Sequence, residues 1–136
     1  MTYMINSKAE PHKVLCSVIT AGLYTDRVDA SDHTEILQVS TICMSQGRVV
    51  PPHRHVPIER TTLGTQEAWI VVSGQLQVQV FDTDDTFVEQ LTLTAGQCMT
   101  LFRGGHTFTV LTDNTVIFEI KNGPYYGQQT DMKQIG

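Results

Sequence analysis

Gln75-Leu76-Gln77-Val78-Gln79-Val80 sets an apolar residue at every second position with a glutamine between. Successive side chains on an extended chain point to opposite sides, so this is the pattern of a strand with one buried and one polar face. Before it runs Ala68-Trp69-Ile70-Val71-Val72, and the intervening Ser73-Gly74 predicts a hairpin turning at the glycine. After it, Asp82-Thr83-Asp84-Asp85 supplies turn residues whose side chains cap nearby backbone groups, and alternation resumes over residues 87–93. Further strands are expected at residues 13–21, 35–44, 98–102, 107–111 and 116–121, spaced by Gly, Asp, Asn or Pro at intervals of about 8–12 residues. That rhythm belongs to β-sandwiches and barrels. Helical periodicity is almost absent: a short helical turn is expected near residues 58–62, and residues 122–127 read as an ordered turn before a looser polar tail.

The 136 residues are expected to form one domain spanning 1–136, and 40% apolar content suffices for an ordinary core without staples. A formal charge of −5 with no run of basic residues argues against nucleic acid as a partner. Cys16, Cys43 and Cys98 are odd in number and widely spaced, which fits reduced thiols better than a disulfide framework. No basic stretch followed by an apolar stretch opens the chain, and no segment reaches the ~18 uninterrupted apolar residues of a membrane span. The expectation is a soluble protein of the cytoplasm, without a membrane partner.

The chemically informative stretch is Gly47-Arg48-Val49-Val50-Pro51-Pro52-His53-Arg54-His55. Two imidazoles two residues apart on an extended chain project to one face and can reach one ion. Pro51 and Pro52 stiffen the approach. Downstream, Glu67 heads the run that ends at Gly74, and Gly96 opens a second glycine-containing stretch that closes on Gly104-Gly105-His106. His106 leads into Thr107-Phe108-Thr109-Val110, so it shares a strand face with Phe108 and Val110.

These residues resemble the cupin superfamily, whose first motif reads G-x5-H-x-H-x3,4-E-x6-G and whose second reads G-x5-P-x-G-x2-H-x3-N. Motif one falls at about 47–74, with Gly47, His53 and His55 fitting its opening and Glu67 and Gly74 its close; motif two falls at about 96–111, with Gly96, Phe102 and Gly104 in register. The resemblance implies an all-β fold, a double-stranded β-helix or jelly-roll barrel. It also implies a divalent transition metal (iron, manganese, nickel or zinc) held by His53, His55, Glu67 and His106. The sequence departs from the pattern in places. Eleven residues separate His55 from Glu67 where the family has three or four, so residues 56–66 read as an inserted loop. Glu59 on that loop stands at the family's usual distance from His55 and rivals Glu67 as the carboxylate ligand, although no glycine follows it at the family distance. Phe102 replaces the motif-two proline, His106 comes one residue early, and Val110 stands where the family closes with asparagine.

The chain is also similar to a narrower group of small cupins found among genes for surface polysaccharide or nucleotide-sugar synthesis. Arg60, Gly64-Thr65-Gln66-Glu67, Gly104-Gly105-His106 and Glu119-Ile120-Lys121-Asn122-Gly123-Pro124-Tyr125 carry that likeness. It implies a sugar-like ligand. With Glu59 and Arg60 as candidate catalytic residues, the expected activity is that of a metal-dependent isomerase, lyase or dioxygenase; the rivals are a carbohydrate-binding module without turnover and a structural cupin whose ion only pins the barrel. Arg60 and Arg103 are candidate clamps for an anionic group. Trp69 is either a wall for a ring-shaped ligand or core packing, and Tyr125 and Tyr126 either cover the barrel mouth or cement a dimer. Cys98 is read as a buried strand thiol near the second motif, and His12 and His33 are assigned no role. A homodimer is expected from the resemblance and because open jelly-roll edges invite pairing.

Overall fold

A computed structural model describes residues 2–22 and 26–136 as an all-β chain in three antiparallel sheets, none of them closed. The strands are β1 (Tyr3–Asn6), β2 (Val14–Thr20), β3 (Asp26–Asp29), β4 (Ser40–Cys43), β5 (Glu67–Ser73), β6 (Gln75–Phe81), β7 (Phe87–Thr94), β8 (Gln97–Leu101), β9 (Gly105–Val110) and β10 (Val116–Lys121). The larger sheet runs β1-β2-β8-β5-β10, the second β7-β6-β9, and β3 pairs with β4 alone.

The core lies between the two larger sheets. Cys16, Val18, Trp69, Val71, Met99 and Leu101 come from the first, and Leu76, Val78, Val80 and Leu93 from the second. The apolar members of the β6 alternation are thus all buried, as a half-buried strand requires.

The junction at Gly74 is not the expected hairpin. β5 pairs with β8 and β10, whereas β6 pairs with β7 and β9, so the chain turns a corner there and passes from one sheet to the other. Gly74 has φ +82°, and a Cβ at this position would lie 2.2 Å from Thr115 Oγ1. The left-handed backbone and the close approach both call for glycine. The hairpin is β6–β7 instead, closed by Asp82 N–H donating to Thr86 O at 2.7 Å.

Asp82 also ties the N-terminal strands to this turn. Burial alone would push its carboxyl up, but Ser7 Oγ (2.5 Å) and the N–H groups of Lys8 (2.6 Å), Thr83 (2.7 Å) and Ala9 (3.2 Å) all donate to it. Together they hold it well below the usual carboxylate range.

Other expectations change in detail. The strand foreseen at 35–44 is reduced to β4, and β1 and β3 were not foreseen. No helical turn forms at 58–62; the helix of the described residues is α1 (Gln128–Asp131), in the tail expected to be loose. No helix among the described residues is long and apolar enough to cross a membrane.

Candidate functional site

Glu67 opens β5 and His106 lies near the start of β9, on facing sheets. Inward positions on β5 are Glu67, Trp69 and Val71, by alternation. On β9, His106 pairs with Val80 and Phe108 with Val78, so both share the face of those buried valines. The two faces meet where Glu67 Oε1 and His106 Nε2 stand 2.7 Å apart. The edge of Trp69 packs on both aromatic neighbours, with ring centroids 5.0 Å from His106 and 5.0 Å from Phe108.

A cavity of about 830 Å³ opens beside this contact, between β5, β9 and β10. Trp69 lines it and is buried, and its Nε1–H has no hydrogen-bond partner among the described residues. A buried donor without a partner is uncommon, and a bound ligand oxygen is one way to satisfy it. On β10, Glu119 pairs with Trp69 and Lys121 with Glu67, so both side chains enter the same cavity. Lys121 Nζ lies 2.9 Å from Glu119 Oε1 and 5.4 Å from the centre of the Tyr125 ring. The hydrogen bond to Glu119, with the negative charge of Glu119 and Glu67, pushes the Lys121 pKa up, so the ammonium stays charged. Residues of the tail, from Gln128 to Ile135, also line the cavity. Ile135 packs on Gly105 so closely that a Cβ there would lie 2.1 Å from its Cδ1.

The structure therefore brings together Glu67 and His106 of the four expected ligands. His53 and His55 lie on the segment between β4 and β5, exposed and outside every strand. Their rings are 5.6 Å apart, and His53 Nδ1 sits 2.8 Å from Pro51 O. When Nδ1 carries the proton it donates to that carbonyl and leaves Nε2 open as a donor atom for a metal. Among the described residues no group of three or more His, Cys, Asp or Glu is placed to hold an ion.

Glu59 and Arg60 lie on the same exposed segment and do not line the cavity; Arg60 reaches only Ile58 O, at 3.4 Å. Arg103 borders the cavity but is engaged by Glu35, at 2.6 and 2.8 Å, and by Val14 O. That makes it a fastener between loops more than a free clamp. Trp69 belongs to the core and lines the cavity as well. Tyr125 is at the cavity and Tyr126 is exposed. Cys98 lies on β8 opposite Ile19 and Ile70, away from the cavity, where burial raises its pKa. The Glu119–Lys121 pair was not singled out from the residues themselves; its signals were the likeness of residues 119–125 to the small cupins and two charged residues at alternate positions of a strand ending in Lys121-Asn122-Gly123.

A family model described as a domain of unknown function (DUF6016) matches residues 29–93, from β3 to the end of β7. No curated protein and no solved structure matches the chain.

Proposed function

We propose that this chain is a cupin-like jelly roll that binds a small polyhydroxylated molecule, a sugar or nucleotide-sugar derivative, at a divalent-metal site. The carrying observation is the 2.7 Å contact of Glu67 Oε1 with His106 Nε2 at the wall of an 830 Å³ cavity. In favour of the jelly roll, the chain crosses between the two larger sheets at β5–β6, β7–β8, β8–β9 and β9–β10.

A carboxylate oxygen and an imidazole nitrogen are suitable donors for iron, manganese, nickel or zinc, and the two atoms, now at hydrogen-bond distance, need to separate only slightly to take neighbouring positions around one ion. The other two donors, His53 and His55, are not gathered with them in the single chain. A divalent ion held by the four residues would supply Lewis acidity toward a carbonyl or hydroxyl oxygen. Trp69 and Phe108 supply an apolar wall, and Lys121 and Glu119 a donor and an acceptor for hydroxyl groups. Glu119, a carboxylate separate from Glu67, supplies a base for isomerase or lyase chemistry, with Lys121 as its charged neighbour.

The test is a thermal-shift screen of nucleotide sugars and free sugars with and without manganese, nickel and zinc. A specific ligand raises the melting temperature by mass action, and the rise is lost in Glu67→Gln/His106→Ala. No shift with any ligand or metal, or one that survives in the double variant, defeats the proposal.

A further inference from the structure

The two larger sheets are fastened unevenly. On one side β1 ends the larger sheet and β7 the smaller. There Tyr3 Oη donates to Glu89, and Asp82 accepts from Ser7, Lys8 and Ala9 between β1 and β2. On the other side β10 and β9 end their sheets, and the cavity lies between them.

The C-terminal tail spans that second side. It is pinned where it leaves β10: Asn122 Oδ1 accepts from Gln66 N–H at 2.7 Å, and Asn122 Nδ2 donates to Gly64 O at 3.1 Å. From there the chain runs along the cavity, which Gln128, Asp131 and Met132 line, and reaches the smaller sheet. Lys133 Nζ lies 3.4 Å from Asp85 Oδ2 on the β6–β7 turn, and Ile135 fills a notch at Gly105. A Cβ on Gly105 would meet Ile135 Cδ1 at 2.1 Å but Phe81 Cβ only at 3.4 Å, so glycine keeps this seat free for one apolar side chain. Ile135 is accordingly 37% exposed, against 63% for Met132.

The far end is held lightly. Residues 128–136 are all exposed, and α1 is bonded only to its own turn and to Tyr126. Among the described residues, Lys133–Asp85 is the one ion pair or hydrogen bond that joins residues 128–136 to the sheets. Its side chains are 84% and 46% exposed, and an exposed pair of this kind adds little stability. A segment with a firm pivot and a weak latch has seated and released forms close in free energy.

We propose that residues 128–136 are a strap with two positions. Seated, it joins the two sheets across their open side and walls one flank of the cavity. Released at Lys133 and Ile135, it swings about Asn122 and opens that flank to an entering ligand. The inference goes beyond the ligand and metal reading, because pivot, strap and latch use none of His53, His55, Glu67 and His106.

Trp69 is the chain's one tryptophan and lines the cavity, so it can donate energy to a naphthalene label on the tail. The label is placed on Gly136→Cys, where an added Cβ meets nothing within 4 Å, in a chain with Cys43→Ser and Cys98→Ser. The seated strap gives efficient transfer. Lys133→Glu/Ile135→Asp, which repels Asp85 and empties the notch, should keep the strand circular dichroism and lower the transfer severalfold. Gly105→Ala, which fills the seat from the other side, should lower it as well. Opening is read by the rate at which diethyl pyrocarbonate acylates His106, with a chelator present so that no bound ion shields the ring. His106 should react severalfold faster in the Lys133→Glu/Ile135→Asp chain, and the exposed His12 at an unchanged rate. Transfer that is already low in the parent, or equal to the parent's in both variants, overturns the strap. Transfer that falls with no change at His106 overturns its control of the cavity.

Discussion

Replacing Gly74 with alanine probes the corner on which the two sheets are joined. An L residue at φ +82° is strained by about 1–2 kcal/mol, partly offset by about 0.4–1 kcal/mol through the smaller entropy of the unfolded chain. The new methyl also meets Thr115 Oγ1 at 2.2 Å and Thr112 Oγ1 and Thr115 Cα at 2.8 Å. Thr112 Oγ1 accepts from Gln75 N–H at 3.1 Å, so moving it disturbs the hydrogen bonding that starts β6. Crowding of this kind costs about 1–3 kcal/mol, and the total for Gly74→Ala is about 2–4 kcal/mol. Gly96 is the control: its φ is +87° but a Cβ there meets nothing within 4 Å, so Gly96→Ala carries the strain alone, about 1 kcal/mol or less. Urea denaturation followed by tryptophan fluorescence measures both, provided the slope is unchanged. Equal losses in the two variants, or none at Gly74, would refute the corner and the close contact with Thr115.

Three further outcomes follow from the same geometry. Asp82 has its folded pKa depressed, so its contribution to stability is whole above the unfolded value of about 3.9 and is lost as pH falls below it. Wild-type protein should therefore lose urea resistance below about pH 4 more steeply than Asp82→Asn, which should already be weaker at neutral pH. Cys16 is buried, with its pKa pushed up to about 12, whereas Cys43 is exposed; a thiol reagent at mildly alkaline pH should label Cys43 first and reach Cys16 only on unfolding. Trp69→Phe removes a buried donor without a partner and leaves a small cavity in the core, so it should lower ligand affinity roughly five- to tenfold at a stability cost of only about 1–2 kcal/mol. A large loss of stability with unchanged affinity would place Trp69 in the core alone.

Alternation was enough to locate β6, because period two survives where one face is buried, whereas β9 and β10, which bury no residue fully, were located as short runs between turn residues. It could not say which strands pair. Ser73-Gly74 looks like a hairpin, yet β5 finds its partners in β8 and β10, far along the chain, and only the packing of two sheets decides that. The strand expected at 35–44 shrinks to β4 because its first residues serve as tethers: Glu35 binds Arg103 and Gln66, and Gln38 Nε2 donates to Asp32 O and Glu35 O. β1 was missed because only Ile5 of its four residues is buried, and pairing with β2 holds it. At the site, Glu67 and His106 were legible from motif spacing and strand register. Glu119 and Lys121 entered only within the likeness of residues 119–125, without a role, and the tail not at all, since their placement depends on β10 lying beside β5 and on Ile135 reaching Gly105.

The central claim is that Glu67 and His106 belong to a metal site, and elemental analysis of protein purified without a metal-affinity tag tests it most directly. About one divalent transition-metal ion per chain is expected, falling to background in Glu67→Gln/His106→Ala and unaffected in His12→Ala. Protein that is consistently empty, and that takes up no manganese, iron, nickel or zinc when these are supplied, would contradict it.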